Sequence, residues 1–183
     1  QEVMSVEFNE LLAKSGIPTK KVLLLRHKPV EPELNKVIKW LAAEKHEIFN
    51  AFQQTQIVRV QDAITKMSGC GYIASFIGDQ PGRALFVGLY SIDGAKKLTQ
   101  AECYQIPAYR EMKGFAGKTI ADDPPRDYIL WFDLALTDHY SSWKGKLVIE
   151  WRGERAWWRY AERNKMEVIT ILDESALDSV MPT

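Results

Sequence analysis

The sequence predicts an α+β fold: a mostly antiparallel sheet, curled or closed into a small β-barrel, with flanking helices. Three observations carry that expectation. Runs of aromatic and β-branched residues recur at Lys21–Leu25, Tyr72–Ile77, Ala84–Tyr90, Tyr128–Leu136, Lys146–Trp151 and Met166–Leu172, the composition that fits a pleated, half-buried surface. The second and third runs flank Gly78-Asp79-Gln80-Pro81-Gly82, a set of turn residues that makes them a β-hairpin. Helical spacing is largely confined to early segments, so five or six strands with few helices remain, and such a sheet can curl until its mouth holds one planar group.

Taken in order, Val3, Val6, Phe8, Leu11 and Leu12 share a helical face over Val3–Lys14, and Ser15-Gly16-Ile17-Pro18 stops it. The apolar run Lys21–Leu25 suits a buried strand that delivers Arg26-His27-Lys28 to its lip before Pro29. Such a cationic triplet suits phosphate contact as well as a solvated strand end. A helix over Pro32–Phe52 comes next, with Trp40 read as core. It leads into Gln53-Gln54-Thr55-Gln56, which reads either as a polar exit or as base-edge chemistry, since glutamine bonds adenine bidentately. Gly88 inside the second hairpin strand marks a bulge or a close backbone approach. Asp93-Gly94 is expected to close that strand, Leu98–Lys113 to form a short helix and a loop, and Lys113–Pro125 an exposed loop. The expected domain runs from 1 to 172, its first 18 residues helical, with 173–183 as a linker.

The densest stretch is Asp127–Tyr160, which holds five of the six tryptophans: Trp131, Trp143, Trp151, Trp157 and Trp158. From Trp143 to Lys165 seven Lys/Arg face three acids, while the whole chain has zero net charge. A basic, tryptophan-dense region on a neutral chain suits a binding platform. Tryptophans are mostly core residues. The adjacent pair Trp157-Trp158 is the exception, because neither strand nor helix buries two successive rings on one face.

Several functions lack their signatures. At 183 residues, 46% hydrophobic and 26% charged, the chain has the composition of a soluble globular protein. Cys70 and Cys103 are not spaced as a redox or zinc pair, and His27, His46 and His139 are scattered, so no metal or cofactor is expected. Reduced cysteines and a cytoplasmic location are the expectation. No apolar run has the length of a membrane span. Nucleophile-elbow, P-loop and dinucleotide motifs are missing. Gly71-Tyr72-Ile73 and Phe86-Val87-Gly88 echo the paired tripeptides of GIY-YIG nucleases, but the first is permuted and Phe86 lacks the hydroxyl of the family's catalytic tyrosine. The hairpin is scaffold, and this chain is expected not to be an enzyme.

The blocks VLLLRHKP (22–29), FNAFQQTQ (49–56), GYIASFIGDQPGRALFVGLY (71–90) and LWFDLALTDHYSSWKGKLVIEW (130–151) together resemble the amino-terminal region of bacterial proteins that carry a GIY-YIG nuclease domain after it. The hairpin is also similar in style to PUA-like barrels of the EVE and SRA kind, which recognise modified bases. The resemblance implies a DNA-recognition domain of a restriction-type endonuclease, with a modification-dependent one included, and a nuclease domain beyond residue 183. Its partner would be double-stranded DNA, with modified cytosine the candidate base, flipped into an aromatic pocket.

The pocket residues expected on this reading are Tyr72, Ser75, Phe76, Trp131, Asp133 and Trp143. The expected nucleic-acid contacts are Arg26, His27, Lys28, Gln53, Gln54, Lys144, Lys146, Arg152, Arg155, Trp157 and Trp158. Two other readings stay open: a metal-dependent nuclease using Asp133 and Glu150, and a protein–protein module docking through Trp157-Trp158.

Overall fold

The computed structural model describes residues 7–18, 21–27, 39, 44–57, 71–78, 82–114, 129–139, 143–151 and 166–170. Its elements are α1 (Phe8–Lys14), β1 (Val22–His27), α2 (His46–Ile57), β2 (Tyr72–Ile77), β3 (Arg83–Leu98), α3 (Gln100–Gln105), α4 (Pro107–Gly114), β4 (Ile129–Leu136), β5 (Leu147–Trp151) and β6 (Met166–Thr170). The strands follow the path β1-β2-β3-β5-β6, with β4 also pairing with β3. The β1/β2 pair is parallel, whereas β2/β3, β3/β5 and β5/β6 are antiparallel. The α+β class and the mostly antiparallel sheet are therefore as expected. Among the described residues β1 and β6 are the two ends of that path and do not pair with each other.

Contacts group the chain, expected as one domain, into two compact units, each discontinuous in sequence. Unit 1 comprises Gln1–Pro29, Ile64–Ser91 and Leu136–Thr183, and unit 2 comprises Val30–Ala63 and Ile92–Ala135. The chain passes from one to the other within β3.

Unit 1 is organised by side-chain alternation. Val22 and Leu24 of β1, Ala74 and Phe76 of β2, and Leu147 and Ile149 of β5 join Phe8, Leu11 and Leu12 of α1 in one buried cluster. The intervening Leu23, Leu25, Ile73 and Ile77 are also buried. A strand covered on both faces reads as a continuous apolar run rather than an alternating one. That is why VLLL in the parallel-paired β1 carries no polar residue. Phe8, Phe76 and Phe86 meet edge-on or tilted, with centroids 5.5 to 6.0 Å apart, geometries that add to the area they bury.

The bulge expected at Gly88 is present. Ser75 pairs with Gly88 and Phe76 with Phe86, so β3 carries one extra residue between them. An extra residue flips the parity of everything beyond it. Ala84 and Phe86 belong to the α1-facing cluster, and after the bulge the odd-numbered Leu89 rejoins that cluster. Gly88 has φ +146°, and a Cβ there would lie 2.7 Å from Leu136 Cδ1. Only glycine meets both demands.

Several boundaries differ from expectation. The helix expected over Val3–Lys14 begins at Phe8, because Glu7 is extended (φ −77°, ψ 143°). Gly16 at φ +72° ends it as foreseen. Of the helix expected over Pro32–Phe52, residues 32–38 and 40–43 lie outside the described residues; Glu44 takes a positive φ of 53°, and α2 runs from His46 through the glutamine cluster to Ile57. Strand β3 does not stop at Asp93-Gly94 but continues to Leu98. Leu98–Lys113 forms two helices rather than one. The first is fastened by a capping box in which the Glu102 N–H donates to Thr99 Oγ1 at 3.1 Å and the Thr99 N–H to Glu102 Oε1 at 2.9 Å.

Candidate functional site

Unit 2 contains a cavity of about 390 Å³, within the range that binds small organic groups. Three elements and the segment around Ile106 wall it. From α2 come Glu47, Asn50 and Ala51, from β3 Asp93, from β4 Trp131, Phe132, Asp133 and Leu134, and from the α3–α4 turn Ile106, Pro107 and Ala108. Local sequence explains the shape. Pro107 opens α4 at the first helical position, where its missing N–H costs nothing. The i, i+3, i+4 geometry of α2 puts Glu47, Asn50 and Ala51 on one face. In β4, strand alternation separates the buried Phe132 from the half-buried Trp131 and the exposed Asp133 only in part, because all three reach the cavity wall.

The aromatic side of the cavity is braced from behind. Tyr109 packs edge-on against Trp131 at 5.7 Å and against Tyr104 at 5.4 Å. Lys113 Nζ lies 5.5 Å above the Tyr109 ring centroid, within cation–π range. Its polar side chains are acceptors above all. Asn50 donates its amide N–H to the Leu134 carbonyl at 3.2 Å, and its Oδ1 is buried with no hydrogen-bond partner among the described residues. Asp133 Oδ1 sits 4.0 Å from Lys96 Nζ with both side chains about half exposed, a contact worth little in water.

Two residues picked from sequence for a base pocket, Trp131 and Asp133, are brought together here. The other four lie in unit 1. Phe76 and Ser75 are corrections: both are 0% exposed, and the Phe76 ring is enclosed by Phe8 and Phe86. Aromatic residues in a strand that is covered on both faces are core, so the scaffold role expected of the hairpin and the pocket role expected of Phe76 are not compatible. Tyr72 and Trp143 are half-buried and pack on the unit 1 core.

The expected phosphate contacts divide likewise. Arg26 and His27 are not a lip beyond β1 but its last two residues, paired with Phe76 and Ile77. His27 is 2% exposed, and its carbonyl accepts the Gly78 N–H at 3.0 Å. Gln53, 0% exposed, is buried within α2 rather than offered to a base edge. Lys144 is half-buried and Lys146 exposed, on a tight turn where Gly145 (φ 80°) donates its N–H to the Phe86 carbonyl at 2.8 Å. Lys28, Arg152, Arg155, Trp157 and Trp158 lie outside the described residues, as does the side chain of Gln54.

For the nuclease alternative, Glu150 is engaged by Arg83 directly across the strand pair, Nε to Oε1 at 3.0 Å. Asp133 belongs to unit 2 and Glu150 to unit 1. Among the described residues no three His, Cys, Asp or Glu side chains come together in a way that could hold a metal ion. None of the described helices is long and apolar enough to cross a membrane.

Sequence reasoning missed Asn50, Glu47 and Asp93 as cavity residues. The signal for the first two was present in the α2 spacing, which places both beside Ala51. For Asp93 there was none, since Asp-Gly reads as a turn when the strand in fact continues. No family model, curated protein or solved structure matches this chain.

Proposed function

We propose that this chain is a DNA-recognition domain of a restriction-type endonuclease, one that receives an extruded base, modified cytosine being the candidate, in the unit 2 cavity. One observation carries the reading: Trp131 and Asp133, a stacking wall and a Watson–Crick acceptor, line the same 390 Å³ space. An enzyme or reader that handles a base outside the helix needs both, a π-face to replace lost stacking and a polar group to read the edge. The basic composition from Trp143 to Lys165, seven Lys/Arg against three acids, supports a phosphate-bearing partner. A PUA-like arrangement is the fold this reading expects, and a bulged hairpin in a mostly antiparallel sheet is consistent with it.

The test is a titration of the chain with matched duplexes bearing cytosine, 5-methylcytosine, 5-hydroxymethylcytosine or its glucosylated form, monitored by tryptophan fluorescence. Binding that falls steeply with salt is expected. Trp131→Ala is expected to weaken it about tenfold or more, given that stacking on one aromatic ring is worth about 1–3 kcal/mol. A chain that ignores every duplex at low salt, or a Trp131→Ala variant that binds as tightly as the parent, overturns the proposal.

A further inference from the structure

The cavity also says which class of base it takes. We infer that Asp133 reads an exocyclic amine, so that the site selects amino bases such as cytosine or adenine against their oxo counterparts uracil and hypoxanthine. The inference rests on the base-receiving reading above and adds the identity of the edge.

Three observations converge on Asp133. Among the described residues its Oδ1 has a cation only at 4.0 Å, Lys96 Nζ, too distant for a hydrogen bond that would occupy the carboxylate. Its Oδ2 faces Gly94, where a Cβ would stand 3.7 Å away, so position 94 itself sends no side chain across that oxygen. The remaining polar side chains of the wall are Glu47, Asp93 and Asn50, and the Asn50 amide N–H is already directed to Leu134. A group entering here that brings N–H finds the Asp133 carboxylate in the wall as its acceptor. The N4 amine of cytosine and the N6 amine of adenine do so, and a carboxylate accepting from cytosine N4 is an established pairing geometry. Uracil presents O4 at the same place, setting two lone-pair-bearing oxygens against each other. Sites built to bond a particular polar group reject the analogue without it strongly.

The experiment uses the full chain and duplexes with one mispaired, easily extruded base, in two isosteric pairs: cytosine against uracil, and adenine against hypoxanthine. At least one amino base is expected to bind about tenfold more tightly than its oxo partner. Asp133→Asn, which offers N–H where the parent offers only lone pairs, is expected to abolish or invert that ratio. Gly94→Ala keeps the carboxylate and meets only ordinary van der Waals contact, so the ratio is expected to survive it, and its loss with the carboxylate intact overturns the role of Asp133. Thermal melts of both variants check that the half-exposed site has left the fold intact. Duplex binding with equal affinity for amino and oxo bases overturns this inference and leaves the base-receiving reading standing. A preference that survives Asp133→Asn overturns the role of Asp133. No duplex binding at all overturns both.

Discussion

The two units solve opposite problems with similar residues. In unit 1 aromatic rings close on each other: Phe8, Phe76 and Phe86 are 0 to 1% exposed and make a buried core. In unit 2 an aromatic chain of the same length, Tyr104, Tyr109 and Trp131, also packs edge-on, but its last ring stops half-buried at the wall of a cavity. The difference lies in the neighbours of each ring along its strand. Phe76 is flanked by Ser75 and Ile77, both buried, under a helix that covers the sheet. Trp131 is two residues from Asp133, whose charge must stay hydrated and so holds that end of β4 open. An aromatic cluster becomes a core or a binding wall according to whether a charge keeps one side wet.

That contrast sets the order of expected effects. The largest is Phe76→Ala, which removes a ring enclosed by two others and is expected to cost about 3–5 kcal/mol in urea unfolding. Trp131→Ala opens onto an existing cavity and is expected to cost distinctly less stability while costing ligand affinity. Equal destabilisation by the two would dissolve the distinction between core and wall. Next comes Gly88→Ala. The methyl meets Leu136 Cδ1 at 2.7 Å on a backbone at φ +146°, and a loss of about 1–3 kcal/mol is expected. Leu136→Ala in the same chain relieves the clash but not the backbone strain, so the pair is expected to be less than additive.

The sheet was largely legible in the sequence, and the reason is that its strands are apolar runs whose length and turn residues speak for themselves. The hairpin with its bulged glycine, YILWFDLAL and KLVIEW all lie where the pattern put them. What was not legible depends on context. KVLLL announces a strand but not that it pairs in parallel, because that is decided by the crossover and not by the run. Asp93-Gly94 carries turn chemistry in a strand that partner β4 extends. Thr99-Gln100-Ala101-Glu102 spells a capping box, a signal present in the sequence but passed over in a polar stretch. The cavity was half legible: Trp131 and Asp133 stand out by residue type, while Asn50 and Glu47 matter only through the helix that brings them to β4.

Cys103 offers a probe of how well unit 2 is sealed away from its cavity. The thiol is fully buried, and loss of hydration, reinforced by the nearby Glu102 charge, pushes its pKa from 9.0 to about 11. A raised thiol pKa means that the folded state holds the proton more tightly than the unfolded chain. Its stabilisation is therefore complete below pH 9 and is lost as pH rises toward 11. Stability is expected to decline across that window in the parent and to decline less in Cys103→Ala. Alkylation of Cys103 in the native protein at about pH 8, located by peptide mapping so that Cys70 is counted separately, is expected to be slow, since the thiolate is the reactive form. Rapid alkylation would mean that α3 opens readily, and the sealed side of unit 2 would then be no more closed than the cavity.

The smallest effect is expected at the cap beside it. Thr99→Ala removes the hydroxyl that accepts the Glu102 N–H and is expected to cost about 1 kcal/mol at neutral pH. The Glu102 carboxyl is held below its ordinary 4.5 first by the Thr99 backbone N–H and then by the Thr99 side chain. A depressed carboxyl pKa contributes stability that is present above pH 4.5 and is lost as pH falls through the folded value. The gap between parent and Thr99→Ala is therefore expected to narrow as the solution is acidified below 4.5, and Glu102→Gln to lose most of the pH dependence. Urea midpoints at about pH 7 and about pH 3 for the three proteins decide it. A gap between parent and Thr99→Ala as wide in acid as at neutrality would mean that the hydroxyl caps α3 alone, and that the reciprocal carboxylate contributes nothing to fixing the turn that leads into Ile106, Pro107 and the cavity wall.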